Sequence, residues 1–428
     1  MGTSTAGSSI YNTTHIILSC HSCNSGRRDK MPNYENNPAI ANFVEYLRIP
    51  SVQPNIDYDD CVAFLKRQAK SLDLSVRVYE LVAKKPIVVL TWLGSDASRP
   101  SILLNSHMDV VPVFENSWKY PPFSAHIDEE GKIFARGSQD MKCVGIQYLE
   151  AIRNLKQRGV QLKSTLHVTF VPDEEIGGHD GMKIWVHTPE FKELNVGFAL
   201  DEGMANPTEE YIVFNGERSI WQFHIHCTGQ PGHGSLLLPN NSGEKLRYII
   251  NKFMDLRDEQ KHILENDPKL TIGDVTTVNM TQVYGGIQSN VVPEKLTVVF
   301  DVRLAVSVNH EEFENMVKQW CNEAGEGVTY EFEQKNPKIE CTKTDATNPY
   351  WVAFKSAADD LHLQLATRIF PGGTDSRYVR GVGVPAIGFS PMNRTPVLLH
   401  DHDEFLHADV FLQGIEIYEA ILTSVANV

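Results

Sequence analysis

The chain has 428 residues, 42% of them hydrophobic and 22% charged, and a formal net charge of −15. That length exceeds one ordinary hydrophobic core and predicts two domains. The acidity argues against nucleic acid and anionic membrane surfaces as partners, and no apolar stretch approaches the ~20 residues of a membrane-spanning helix. Seven cysteines in no dense pattern fit reduced thiols in the cytoplasm better than a disulfide framework.

Residues 1–30 are polar, and their one apolar cluster, Ile16-Ile-Leu18, is shorter than a signal-peptide core of roughly 7–15 residues. They read as a disordered tail. Cys20-His-Ser-Cys23 is half a zinc motif with no second pair near it. Helical patterning begins at Asn37, which makes Met31 an alternative start. Residues 37–48 carry apolar side chains at helical spacing, with Pro38 suited to a first turn, and Asp60 to Leu72 is a second helix. Strands are expected at Ser75–Glu80, at Ile87–Leu93 and from Ser101 onward. Asp140 then opens an amphipathic helix from Met141 to Arg158. Strand and helix alternate through residue 202, the mark of a mostly parallel, doubly wound α/β sheet.

The pattern changes near Phe214. Ser219–His226 alternates apolar and polar residues, as strands with one solvated face do, and so do Asp274–Tyr284 and Glu294–Leu304. Glu244–Glu265 and Glu311–Glu323 are helical. This predicts an inserted α+β domain over residues 214–337, between the two parts of a catalytic domain at 31–213 and 338–428. The α/β pattern resumes near Trp351, with a strand at Val384–Phe389 and a last helix after Ala408.

Three apolar runs end on side chains suited to bind metal. Ser101–Ser106 leads into His107-Met-Asp109, Leu166–Val171 into Asp173-Glu-Glu175, and Val196–Leu200 into Asp201-Glu202. Ligands of open α/β sheets sit just beyond the carboxyl ends of the strands, so neighbouring strands would gather one histidine and several carboxylates there. Imidazole and carboxylate are zinc donors. Asp109 is placed to orient His107 from behind. Asp140 suits a helix N-cap as well as a carboxylate bridging two metals. Glu174 and Glu175, read as extended, would point in opposite directions, one to bind metal and the other to move a proton. His400 or His402 would supply a further ligand, with Asp403 and Glu404 as acids at a helix start. The −4 charge of Asp140, Glu174, Glu175 and Glu202 matches two divalent ions, without which they could not all stay ionised. His233 lies in a glycine-rich loop.

Ser106-His-Met-Asp-Val-Val-Pro112, Ala135-Arg-Gly-Ser-Gln-Asp-Met-Lys142, Pro172-Asp-Glu-Glu-Ile-Gly-Gly178 and Gly232-His-Gly-Ser235 together resemble the di-zinc amidohydrolases and peptidases related to aminoacylase and carboxypeptidase G. Tyr46–Pro54, Ala199–Gly203 and Leu399–Glu404 point to the aminoacylase branch. The resemblance implies a zinc-peptidase-like catalytic domain with an inserted lid and dimerisation domain. It implies two zinc ions per subunit, one on His107, Asp140 and Glu202, the other on Asp140, Glu175 and His400. His400 is preferred because it fits the family's His-x-x-Asp-Glu pattern. Glu174 becomes the general base and Asp109 the support of His107. A homodimer would form through the inserted domain, with His233 completing the partner's site and with Asn290 and Arg303 holding substrate. The implied reaction is hydrolysis of N-acyl-L-amino acids, with acetyl groups on aliphatic residues preferred. A related dipeptidase or carboxypeptidase, or a non-catalytic metal-binding member, is the alternative.

Overall fold

The computed structural model describes residues 34–428. The tail reading, the Cys20/Cys23 pair and Met31 lie outside the described residues. The chain begins with α1 (Pro38–Leu47), where the Asn37 side chain accepts from the amides of Ala39 and Ile40 and Pro38 occupies the first turn, as expected of a helix start. After it come α2 (Asp59–Ser71), β1 (Ser75–Val82), β2 (Lys85–Trp92) and β3 (Ser101–His107). Next are the short strands β4 (His126–Ile127) and β5 (Lys132–Phe134), then α3 (Lys142–Gln157), β6 (Leu166–Val171), α4 (Met182–Trp185), α5 (Pro189–Glu193), β7 (Val196–Asp201) and β8 (Tyr211–Glu217).

The second stretch holds β9 (Ser219–Thr228), β10 (Gly232–His233), α6 (Ser242–Asn266), β11 (Thr277–Gly285), β12 (Val291–Val292), β13 (Lys295–Leu304), α7 (His310–Ala324) and β14 (Val328–Lys335). The last holds α8 (Pro349–Asp360), β15 (Leu365–Phe370), α9 (Ser376–Gly381), β16 (Ala386–Phe389), β17 (Phe405–His407) and α10 (Ala408–Val425).

An eight-stranded sheet runs in the order β1-β2-β6-β3-β7-β16-β8-β15. Its centre, β6-β3-β7-β16, is parallel throughout. The β1-β2 hairpin is antiparallel at one edge, and β8 meets β16 antiparallel while pairing in parallel with β15. The three strands that end in metal-binding residue types are therefore side by side, with β3 between β6 and β7. Both faces are covered, as their unbroken apolar runs require. Ile102 and Leu104 of β3 pack in the cluster of α1, α3 and α10, while Leu103 packs with Met182, Trp185 and Phe191 on the other face.

A four-stranded antiparallel sheet, β11-β13-β9-β14, forms a second unit. On β9, Trp221, Phe223, Ile225 and Cys227 are buried while the residues between them are only partly so. Phe253 of α6 stacks on Phe300 of β13 with ring centroids 4.1 Å apart. Each such buried phenylalanine contributes roughly 1.5–3 kcal/mol. The chain passes from the first sheet to the second at Arg218 and leaves it after Lys335, where Lys335 of β14 lies opposite Trp221 of β9.

Candidate metal centre

His107 closes β3 and is buried, with Nε2 3.0 Å from Asp140 Oδ1 and 3.6 Å from Glu202 Oε2. The other oxygen of the same carboxylate, Asp140 Oδ2, lies 3.4 Å from His400 Nε2, which is 3.1 Å from Glu175 Oε2. Two triads of metal-binding groups, His107/Asp140/Glu202 and Asp140/Glu175/His400, thus share one aspartate, and within each triad the donor atoms lie within 4.8 Å of one another. His402 is not part of this cluster. It lies near the Phe114 ring, at 6.1 Å.

Asp140 does not cap its helix. The α3 helix starts at Lys142 after Met141, with no side-chain cap, which leaves both Asp140 oxygens to the two histidines. Nor is the Glu174–Glu175 segment extended. Asp173 adopts a left-handed conformation (φ 63°) and Glu174–Ile176 forms one 3-10 turn, so both carboxylates are gathered rather than opposed. The Asp173 side chain is pinned by Tyr58 Oη (2.7 Å), Gln53 Nε2 (2.9 Å) and Lys85 Nζ (2.6 Å).

The Asp109 carboxylate stands behind His107 as expected, Oδ1 lying 3.6 Å from His107 Nδ1, and it does more than that. Its carboxylate accepts from the backbone amides of Glu174 and Glu175, at 3.1 Å each, and from Gln53 Nε2 at 2.8 Å. His107 Nδ1 reaches the Asp109 backbone carbonyl as well, at 2.9 Å, a second partner that orients the ring. One residue therefore fixes both the histidine and the acidic turn.

The electrostatics are those of a cluster short of positive charge. Burial and the charge of Glu202 push the Glu174 carboxyl well above its ordinary range. Burial and the charge of Asp140 raise Glu202 likewise, and bring Glu175 up to about 7. Hydrogen bonds to Asp140 and Glu175 raise His400 to about 10. Burial pulls His107 down, but Asp109, Asp140 and Glu202 outweigh it and leave the imidazole raised. Burial likewise opposes ionisation of Asp140, and the two histidines overcome it. Glu175 Oε1 is buried with no hydrogen-bond partner. Imidazole and carboxylate donors in two triads, an orphaned carboxylate oxygen and a shared aspartate fit a pair of divalent cations.

The three residues expected to hold substrate are elsewhere. His233 lies exposed on the β10–β12 ladder, with Nδ1 2.8 Å from Ser235 Oγ. Asn290 is beside it, its carbonyl accepting from Gly234 N at 2.8 Å and its side chain from Gln288 at 2.8 Å. Arg303 on β13 already holds Asp301 through two hydrogen bonds, at 2.7 and 3.0 Å. None of the three contacts the carboxylate cluster of its own chain.

Sequence reasoning missed the residues beneath the site. Glu404 is fully buried rather than a solvated helix-start acid, and it accepts from Arg136 Nη1 (2.8 Å) and the amides of Gly137 (3.1 Å), Gln139 (2.6 Å) and Asp140 (3.3 Å). It holds the loop that presents Asp140. Asp201 closes β7 but turns from the cluster to Asn105 (3.0 Å) and Ser376 (2.8 Å).

Residues 103–424 match Peptidase family M20/M25/M40. The chain belongs to this family. It is 51% identical to Aminoacylase-1 of Mus musculus over 399 residues, covering 93% of this chain and 98% of the relative. Among solved structures, a tripeptidase from Staphylococcus aureus superposes with a TM-score of 0.70 at 18% identity, covering 93% of this chain and all of the other. The YXEP protein of Bacillus subtilis, described as a dinuclear metal binding peptidase of the M20 family, gives 0.62 at 18% identity, covering 90% of this chain and 96% of the other. These two likenesses speak to the fold.

Proposed function

We propose that this protein is a zinc-dependent amidohydrolase that cleaves N-acyl-L-amino acids, N-acetyl derivatives of aliphatic residues among them, to a carboxylic acid and a free amino acid. The observation that carries the reading is the pair of triads sharing Asp140 beside the buried Glu174, in a chain half identical to aminoacylase-1 along nearly its whole length. His107, Asp140 and Glu202 would hold one zinc ion, and Asp140, Glu175 and His400 the other. Bound there, the ions supply Lewis acidity toward the acyl carbonyl and acidify water.

The remaining work falls to side chains of the chain. Glu174 takes the proton from the attacking water and returns it to the departing amine. Its burial is what makes it a proton carrier, because the neutral carboxyl is favoured until cations stand beside it. Asp109 holds the Glu174 amide, and so sets where that proton is delivered. His233, Asn290 and Arg303 are assigned to substrate binding. Since His233 is exposed and apart from the cluster of its own chain, we assign it to the site of a second copy in a homodimer joined through the four-stranded unit, which runs from Ser219 to Lys335. Fully exposed Leu237 and Ile287 lie on the two segments next to that ladder, as an apolar contact with a second copy would use. We place the protein in the cytoplasm, which fits the five free cysteines among the described residues. No helix among those residues is long and apolar enough to cross a membrane.

The test is amine release from N-acetyl-L-methionine and from a dipeptide panel, before and after chelation and zinc return. Glu174→Gln should keep the metal content and lower turnover by about 10²–10⁴. Cleavage of dipeptides in place of the acetyl amino acid would move the substrate to the peptidases and leave the proton chemistry standing. Near-normal turnover by the variant would remove Glu174 from its role.

A further inference from the structure

Both chain crossings between the two sheets border one cavity of about 330 Å³. The outgoing crossing contributes Arg218 and Ser219, the returning one Lys335 to Pro337, and α9 closes the floor with Arg377 and Tyr378. None of the candidate metal ligands lines it. Four cationic side chains, Lys183, Arg218, Lys335 and Arg377, face a single carboxylate, Glu217, in a protein of net charge −15. That carboxylate is already engaged elsewhere, by Arg380 and by the Thr374 amide at 2.5 Å. Its nearest approach to Arg377 is 3.7 Å.

Arg377 is the unexplained member. Its side chain is 11% exposed, lies over the Tyr378 ring at 4.6 Å, donates Nη2 to the Gly177 carbonyl at 3.1 Å, and leaves Nε buried with no partner. A buried guanidinium N–H without an acceptor costs roughly 1–3 kcal/mol or more, and a planar fork is suited to a carboxylate. Of the other cations, Lys335 has Glu314 at 2.6 Å, while Arg218 is spent on the carbonyls of Pro371 and Val275. Burial and the charge of Arg303 pull the Arg218 guanidinium down to about 10, as local excess positive charge does. The apolar part of the wall is Pro337, Ile339 and the Tyr378 ring, with His187, Ser219 and Asn336 as its uncharged polar members.

We infer that this cavity is a second binding site, for a small organic carboxylate whose charged head meets Arg377 and whose apolar body lies on Ile339, Pro337 and Tyr378. Its volume is within the range of small-molecule pockets. The site is built across the only two covalent links between the sheets among the described residues. Its floor also touches the turn that carries Glu174, because Tyr378 Oη donates to the Gly177 carbonyl at 2.6 Å. An occupant therefore ties the four-stranded unit to the metal-bearing sheet.

The experiment is calorimetric titration of sodium hexanoate into the full-length, zinc-loaded protein, its Lys183→Glu and Ile339→Asp variants, and inorganic phosphate as a second probe. Lys183 and Ile339 are chosen because neither touches the acidic cluster, and circular dichroism reports whether each variant is folded. The expected result is saturable hexanoate binding to the wild type, weakened about tenfold or more, that is ~1.4 kcal/mol, in each folded variant. Hexanoate affinity unchanged in both variants would place any bound ligand at the metals and overturn the inference, as would no binding at millimolar concentration. Phosphate bound as tightly as hexanoate would overturn the assignment to an organic carboxylate.

Discussion

Replacing Glu404 should unsettle the site from behind without touching a ligand. This carboxylate is inaccessible to water and accepts from Arg136, from three backbone amides and, at 3.4 Å, from Ser138 Oγ. Burial keeps its carboxyl above the usual range against the pull of Arg136, so the pair is held at a desolvation cost that its contacts must offset. Removing one member of a buried pair typically costs 3–5 kcal/mol, because the other charge is left uncompensated. Arg136 retains only the Asp401 carbonyl, at 3.0 Å, and a face against Trp118. Glu404→Gln, which keeps an acceptor for the amides, should cost about 3 kcal/mol, and Glu404→Ala about 4. Adding Arg136→Met to Glu404→Gln should return ~1–2 kcal/mol by removing the stranded cation. Turnover should fall by more than the folded fraction explains, because the Asp140 amide loses its anchor and displacement of a reacting group by ~1 Å costs about 10² in rate. Urea unfolding followed by tryptophan fluorescence, with metal content and turnover measured on the same samples, decides it. A Glu404→Gln protein within ~0.5 kcal/mol of wild type, with two metals and normal turnover, would refute the argument.

Other consequences are open to measurement. His167 on β6 is held at about 4 by burial, against 6.5 when exposed. Its stability contribution is therefore whole above pH 6.5 and is lost as pH falls toward 4, at ~1.4 kcal/mol per pH unit and ~3 in total; His167→Gln should flatten that part of the pH–stability curve, and an unchanged slope would contradict the assignment. Metal ligands bind in their deprotonated forms, so zinc uptake at pH 7 should release protons from the raised Glu202 and His400. Calorimetry in buffers of different ionisation enthalpy counts them, and a count near zero would speak against the triads. A Cβ on Gly388 would lie 2.2 Å from the Glu202 carbonyl oxygen, backbone against backbone. Gly388→Ala should thus cost ~1–3 kcal/mol and weaken zinc retention, whereas a metal affinity equal to wild type would show that β16 does not set the position of Glu202.

Of the candidate ligands, His107, Glu175 and Glu202 were legible because each is local: an apolar run marks a buried strand, and the donor stands where the run stops. Asp140 read equally as a helix cap, and His400 was singled out only by the family resemblance. That β6, β3 and β7 stand side by side was a condition of the strand-end reading, and the sheet order meets it. What supports the donors was not legible. Glu404 reaches the Asp140 loop across 264 positions, and a run such as His400-Asp-His-Asp-Glu404 reads as solvated acid unless the sheet above it is known. The turn at Glu174 was misread because a left-handed Asp173, held by three distant side chains, leaves no mark of its own in the sequence. The strand β8 contains Asn215 and Gly216, which blur its pattern. The strand β14 (Val-Thr-Tyr-Glu-Phe-Glu-Gln-Lys) alternates plainly, in burial as in sequence, and nothing in its composition hides it.

The pairing of β9 with β14 bears on how this architecture can be altered. Because Trp221 faces Lys335 across one ladder, the two ends of the four-stranded unit stand about 4.8 Å apart, one strand spacing. To the sheet that carries the metal-binding residues, more than a hundred residues are no more than a long hairpin between Arg218 and Asn336. A unit grafted this way can be exchanged, lengthened or replaced by a short turn while β8 and β15 keep their register, which leaves the surface of that unit free to diverge over an unchanged acidic cluster.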